Sequence, residues 1–318
     1  LVNHVLGFPL HTLAFCKNSI TRGALLERHL WSGRLPPEAI WETDHGVQVA
    51  SPLFTLLTVA PYVSETQLVM MAFEMCGTFA VFRPSDLIEK ALKDAYASHQ
   101  LPGDFGWKRS TNQKGEATDL WQRPPLIQID DLLDYAESNR SCRGGKKLLN
   151  AGKRVRGVTA SPFEAQVSML LGLSRRLGGE GLLHFENNYE IALDQKAKKI
   201  VDKDKVYADL HFVSADGDRS VIVECQGAIE HGKVDAGIRD ADRTTALQSM
   251  GYDVILLTYE KMSDKESFRT VAEMLADKLG YPYGPKTDAM KARENELRRE
   301  LLIDWATLGE FRASRPKK

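Results

Sequence analysis

The stretch KVYADLHFVSADGDRSVIVECQ, residues 205–226, constrains the fold more than any other part of the chain. Residues 206–213 and 220–226 each alternate with the period of a half-buried strand, and Asp216-Gly217 between them supplies residues that tolerate the positive φ of a tight hairpin turn. A turn centred there sets Val213 opposite Ser220, His211 opposite Ile222 and Asp209 opposite Glu224. Directly opposed residues of an antiparallel pair have Cβ atoms roughly 4.5–5.5 Å apart, and like charges so placed repel. The register therefore predicts a positive group between the two carboxylates. Gln226, two residues beyond Glu224, adds an amide to the same face. Hard oxygen ligands converging from two strands suit Mg²⁺ or Mn²⁺ better than zinc. A solvated acidic hairpin face is the other reading of the same residues.

The flanks extend the pattern. Ser161-Pro162-Phe163-Glu164 opens a helix with Ser at the cap and Pro at the first helical position, and Val167, Leu170, Leu171 and Leu173 carry it to Gly178-Gly179. After the hairpin comes a helical segment at 234–250, closed by Gly251, and then DVILLT within residues 252–259. An unbroken apolar run of that kind reads as a strand buried on both faces. Strand, helix, strand in this order predicts a right-handed crossover and a parallel neighbour. A further helix at 265–279, a Pro/Gly-rich break at 281–285 and a charged amphipathic tail helix at 288–305 follow.

Upstream, the first fifty residues read as a small, partly β unit. Ser51-Pro52 opens a short helix to Ala60, and Ser64-Glu65-Thr66-Gln67 is a capping box for a second helix, 67–76, whose methionine run reads as packing. Residues 98–125, rich in Gly, Pro, Asn, Gln and Lys, read as a long surface loop. Residues 130–137 read as a helix start. The expected organisation is an N-terminal α+β domain over 1–135, a second, α/β domain over 136–285 and a C-terminal amphipathic helix over 286–318.

A chain of 318 residues has room for two ordinary domains, and its formal net charge of -1 leaves nucleic-acid binding to a local patch. Such a patch is present: Arg140, Arg143, Lys146, Lys147, Lys153, Arg154 and Arg156 follow one another with no acid between them. They read as a backbone-binding surface or as a solvated basic loop. Four scattered cysteines without zinc spacing predict a reducing cytoplasm, and no apolar run reaches the roughly 18 residues of a membrane span. The chain starts at Leu1 rather than Met, which reads as the start of a fragment.

SPFEAQ (161–166), YADL (207–210), VIVECQG (221–227), His231 and DADRTTALQSMGYDVILLT (240–258) together resemble the Vsr-like endonuclease domain, related to very-short-patch repair nucleases of the PD-(D/E)xK superfamily. The resemblance covers about residues 157–259. SPLFTLLTVA (51–60) and FEMCGTF (73–79) resemble, over a shorter span, the region preceding that domain in actinobacterial proteins related to abortive-infection antitoxins. The first resemblance implies a restriction-endonuclease-like mixed sheet flanked by helices, and metal-dependent hydrolysis of DNA. It implies that Asp209, Glu224 and the carbonyl of Cys225 hold Mg²⁺ or Mn²⁺, and that Glu164 orients water or adds a ligand. His231 and Arg243 are implied to contact phosphate. The chain departs from the pattern at Gln226, where the superfamily has Lys and the Vsr-like pattern Asp, because an amide orients water but is no base near neutral pH. His231 falls one residue later than in the common pattern. Glu164 also reads as an ordinary capping residue, and the fold with its basic patch also fits a catalytically silent DNA-binding or antitoxin-like regulator, with the N-terminal half open to a protein partner.

Overall fold

In the computed structural model the chain is described over residues 10–16, 26–43, 46–98, 106–112, 114–227 and 234–308. Parallel strands β1 (Leu10–Ala14) and β2 (Leu26–Leu30) come first, followed by a small hairpin of β3 (Ile40–Glu42) and β4 (Gln48–Ala50). Helix α1 (Pro52–Val59) starts where Ser51 Oγ accepts the Phe54 N–H and Pro52 occupies the first helical position. Helix α2 (Glu65–Cys76) starts on the capping box expected at Ser64: its hydroxyl accepts from Gln67 N, and the Gln67 side chain accepts from Ser64 N, both at 3.0 Å. Leu68, Met70 and Phe73 of α2 are fully buried, so the methionine-rich run is packing.

The expected loop over 98–125 is corrected where it is described. Strand β5 (Phe79–Val81), helix α3 (Asp86–Ala97) and strands β6 (Lys108–Thr111) and β7 (Ala117–Gln122) lead to an antiparallel sheet of order β5-β7-β6. The turn between β6 and β7 is held by Asn112 Oδ1, which accepts from Lys114 N and Glu116 N at 2.9 Å. Polar residues hide these strands from a hydropathy reading, because Leu120 and Trp121, the buried pair of β7, are adjacent rather than alternate. Helix α4 (Ile129–Ser138) follows as expected. The basic run is not wholly a loop: Lys146 and Lys147 lie in helix α5 (Gly145–Gly152), which puts Leu148, Leu149 and Ala151 in the core. Gly145 is required there, because a Cβ would lie 2.0 Å from the Asn139 carbonyl oxygen.

Helix α6 (Pro162–Gly172), capped by Ser161, ends earlier than expected, at Leu173; a 3₁₀ turn over Arg175–Leu177 precedes Gly178. Strand β8 (Phe185–Ala192) and helix α7 (Gln195–Val201) then lead into the hairpin of β9 (Lys205–Val213) and β10 (Ser220–Gln226). Helix α8 (Val234–Ser249), strand β11 (Asp253–Thr258), the short helix α9 (Tyr259–Ser263), α10 (Lys265–Leu279) and α11 (Asp288–Leu301) complete the order. The main sheet runs β11-β10-β9-β8, with β10 and β11 parallel and the other neighbours antiparallel. The expected parallel neighbour of β11 is β10. The expectation that β11 is buried on both faces does not hold: as the edge strand it buries Ile255 and Leu257 but leaves Leu256 37% exposed.

A single apolar cluster joins α1, α2, α4 and α5 to α6, to one face of the main sheet and to α10 and α11, through Phe54, Phe73, Leu132, Leu149, Val167, Phe212, Phe268 and Leu301 among others. Helix α11 is fastened by polar contacts as well. Lys286 reaches Glu180 Oε1 at 2.8 Å and Glu294 Oε2 at 3.1 Å, Gln166 donates to the Leu301 carbonyl at 3.0 Å, and Ser64 Oγ donates to Glu300. A smaller cluster on the opposite sheet face packs Ala197 of α7 and Ala246 and Leu247 of α8 against Val206, Ala208 and Ile222.

Those two clusters expose a discontinuity in β9. Val206, Ala208, Leu210 and Phe212 share one parity, yet the first two belong to the smaller cluster and the last two to the larger. The faces of a regular strand cannot exchange in this way. The change occurs at Asp209, across from Asn188, whose φ of +52° interrupts β8.

Candidate functional site

The hairpin has the expected register, with Ser220 opposite Val213, Ile222 opposite His211 and Val223 opposite Leu210. Its turn is longer than the two residues expected. Ser214 N donates to the Arg219 carbonyl at 2.8 Å, Gly217 N donates to the Ser214 carbonyl at 3.0 Å, and only Gly217 of the central pair has positive φ, at +80°. Ser214 Oγ and Asp218 N both donate to the Asp216 carboxylate, which explains the Asp without a left-handed backbone. The centre of the loop is unchanged, so the register survives.

Beyond Leu210 and Val223 the two strands part. The expected direct pairing of Asp209 with Glu224 is thereby corrected: β10 continues against β11, with Glu224 opposite Leu256, Cys225 opposite Leu257 and Gln226 opposite Thr258. Asp209 bridges the opening instead. Its Oδ2 accepts the Cys225 backbone N–H at 2.7 Å, taking the place of a ladder carbonyl with a charge-assisted bond.

Glu224 is 2% exposed, and its Oε2 contacts Nη2 of Arg243, which α8 delivers from above the same sheet face. The cation beside Glu224 is therefore a guanidinium. Glu164, in the first turn of α6, is held by Ala160 N to Oε2 at 2.7 Å and by Ser161 Oγ to Oε1 at 2.9 Å. It thus fulfils its capping reading, bonding one residue earlier than a strict capping box. The Cys225 thiol shows that these groups share one locality. Its pKa is pushed well above the ordinary thiol value, first by burial and then by the charges of Asp209, Glu164 and Glu224, with Arg243 opposing them. Gln226 is half-buried at the last rung of β10. His211, on the face shared with Ile222, stacks on Tyr189 at 4.3 Å between ring centroids, and burial lowers its pKa.

The remaining sequence-derived candidates fare differently. His231 lies outside the described residues. Of the basic run, Lys147 donates to the Val63 carbonyl, Arg154 pairs with Glu65 at 2.8 Å and Arg143 lies over the Tyr62 ring at 5.1 Å, so these three join α5 and its flanks to α2 and the turn before it. Arg156 donates to the Leu183 carbonyl at 2.6 Å, and Arg140 pairs with Glu137 at 3.3 Å on the surface. Lys146 and Lys153 are exposed. A second group of lysines escaped the sequence reading: Lys196, Lys199 and Lys203 are exposed on α7 and just after it, and α7 packs on α8, the helix carrying Arg243. Their signal was the density of lysine across residues 196–205, masked by the interspersed Asp202 and Asp204.

Among the described residues no three His, Cys, Asp or Glu side chains are grouped to hold a metal ion. Mg²⁺ needs no such cage, since it is commonly held by one or two carboxylates with water and substrate phosphate completing the octahedron. Asp209 and Glu224, with the main-chain carbonyl of Cys225, fit that lighter demand in donor chemistry.

By fold the chain is a mixed α/β protein, with a four-stranded main sheet between helical layers. No family model, curated protein or solved structure matches it. Among the described residues no helix is long and apolar enough to cross a membrane.

Proposed function

We propose that the chain is a metal-dependent endonuclease-like protein that hydrolyses DNA phosphodiester bonds, built on a PD-(D/E)xK-type sheet. The observation that carries this reading is the opening of the hairpin at Asp209, whose carboxylate takes the Cys225 N–H next to the Glu224–Arg243 pair. Asp209, Glu224 and the Cys225 carbonyl would hold Mg²⁺ or Mn²⁺. Such an ion, when bound, supplies a more acidic water and neutralises charge developing on the phosphate.

The protein's own groups divide the remaining work. The Cys225 N–H fixes the Asp209 carboxylate, so its orientation does not have to be found during reaction. Glu164, tied by two donors, presents a fixed negative charge towards the same locality. Gln226 orients water through its amide and takes no proton. Arg243 offers a guanidinium to a phosphate oxygen. Exposed Lys146 and Lys153, and the α7 lysines, hold the backbone with an affinity that weakens as salt rises.

A catalytically silent DNA-binding regulator is the second reading, favoured by Gln226 in place of an ionisable residue. Cleavage of supercoiled plasmid and of single-stranded DNA with Mg²⁺ or Mn²⁺, wild type beside Glu224→Gln, separates the two. Cleavage lost in the variant supports the enzyme. Metal-independent DNA binding without cleavage by the wild type supports the regulator.

A further inference from the structure

Resting on that metal-dependent reading, we propose that Arg243 is a place-holder for the divalent cation: it neutralises Glu224 in the metal-free protein and is displaced when the ion enters, which frees its guanidinium for the phosphate. The inference starts from Glu224, whose carboxylate is 2% exposed and whose charge must be balanced where it lies. Among the described residues, Asp209 and Glu164 act on Cys225 in the same sense as Glu224, and Arg243 acts against them. Arg243 is the opposing charge among the described residues, and its side chain is 32% exposed where that of Glu224 is 2% exposed, so of the two groups the guanidinium is the one with room to move outwards.

The two cations compete for one carboxylate. A divalent ion bound by Glu224 brings two positive charges beside the guanidinium, in a site with little solvent to screen them. The two states therefore exclude each other in proportion to how closely each engages Glu224. Displacement also solves a problem of order. Arg243 becomes available to phosphate only once the metal is in place, so DNA is gripped at the reacting position only by a loaded site. Without metal, the ion pair keeps the sheet end intact and closed to substrate.

The test is Mn²⁺ binding by the full chain, followed by calorimetry or by the loss of the free-ion resonance. Removing the competing charge in Arg243→Gln is expected to tighten Mn²⁺ binding at least about tenfold, and to give a larger rise in melting temperature on Mn²⁺ addition than the wild type shows. If the wild type binds Mn²⁺ and Arg243→Gln binds it no more tightly, Arg243 supports the ligands and the place-holder role is overturned, while the metal-site reading stands. If neither protein binds Mn²⁺, the metal-site reading itself falls, and the place-holder with it. Should Arg243→Gln not fold, the wild type still decides. The Arg243 side-chain Nε–H resonance, assigned by its absence from Arg243→Lys, is expected to move towards the position of a solvated arginine when Mg²⁺ is added. A resonance unmoved by saturating Mg²⁺ overturns the proposal.

Discussion

Replacing Asp209 by Asn and by Ala separates two contributions of one carboxylate. Its Oδ2 accepts the Cys225 N–H at 2.7 Å, at the point where β9 leaves β10 and no strand carbonyl is opposite. A hydrogen bond to a charged group contributes about 1.5–3 kcal/mol, and a buried donor left without an acceptor costs a comparable amount. Asp209→Ala removes the acceptor and is expected to cost about 2 kcal/mol. Asp209→Asn retains an oxygen of the same reach and gives up only the charge. That loss is partly offset, because Glu224 and Glu164 act on the same locality; the expected net cost is under about 1 kcal/mol. Chemistry orders the variants differently. If the carboxylate charge contributes even about 3 kcal/mol to stabilising the transition state through a metal, both variants lose roughly a hundredfold in cleavage rate. Urea unfolding with unchanged slope measures the first quantity and plasmid nicking under saturating Mg²⁺ the second. Asn cleaving within about threefold of wild type would refute the chemical role. Ala as stable as Asn would refute the structural one.

Other expectations are read directly. Lys286→Met leaves two buried carboxylates, Glu180 and Glu294, without the cation that reaches both within 3.1 Å, and is expected to cost about 3–5 kcal/mol in urea unfolding; a loss under about 1 kcal/mol would show that the pair relaxes into solvent. Gly145→Ala places a methyl group 2.0 Å from the Asn139 carbonyl oxygen and is expected to cost about 2 kcal/mol or more, checked in the same assay. The Asp304 carboxyl is held below its ordinary value, first by the Ala306 N–H and also by Arg83. Its folded value thus lies under the unfolded one, about 3.9, so its contribution is present above that pH and is lost as the pH falls through the folded value. Asp304→Ala is accordingly expected to cost about 1 kcal/mol at pH 7 and less as the pH falls through the folded value, a trend that thermal melts across pH will follow. Lys146→Gln with Lys153→Gln is expected to reduce the salt slope of duplex-DNA binding by about 1.8 if both contact phosphate; an unchanged slope places the DNA elsewhere.

The hairpin register was legible because it depends on local chemistry alone: two alternating runs and the centre of the loop between them. Whether the loop has two residues or four leaves Val213 opposite Ser220. The parting of the strands was not legible, because it depends on a neighbour. Asn188 of β8 takes a φ of +52° across from Asp209, and nothing in the spacing of residues 205–226 reports what β8 does there. The same limit explains β11. DVILLT has the composition of a central strand, but its burial is fixed by its place at the end of the order β11-β10-β9-β8, which a linear reading does not contain.

The basic run shows how charge density along a chain differs from charge density on a surface. Seven cations without an intervening acid, residues 140–156, read as a nucleic-acid patch. Folding places Lys147 on the Val63 carbonyl, Arg154 on Glu65 and Arg156 on the Leu183 carbonyl, because α5 must pack Leu148 and Leu149 inward and so turns part of its polar surroundings towards α2. The partners of these three, two main-chain carbonyls and the Glu65 carboxylate, are distant in sequence and near in space. The lysines of α7 present the opposite case. Interleaved with Asp202 and Asp204 they look neutral in sequence, yet Lys198 pairs with Asp204 at 2.8 Å and Lys205 with Glu190 at 2.7 Å, leaving Lys196, Lys199 and Lys203 outward beside the helix that carries Arg243. Lys196, Lys199 and Lys203 lie on or just after the helix packed against α8, so a substitution series that tests DNA binding at Glu224 has to include them beside Lys146 and Lys153.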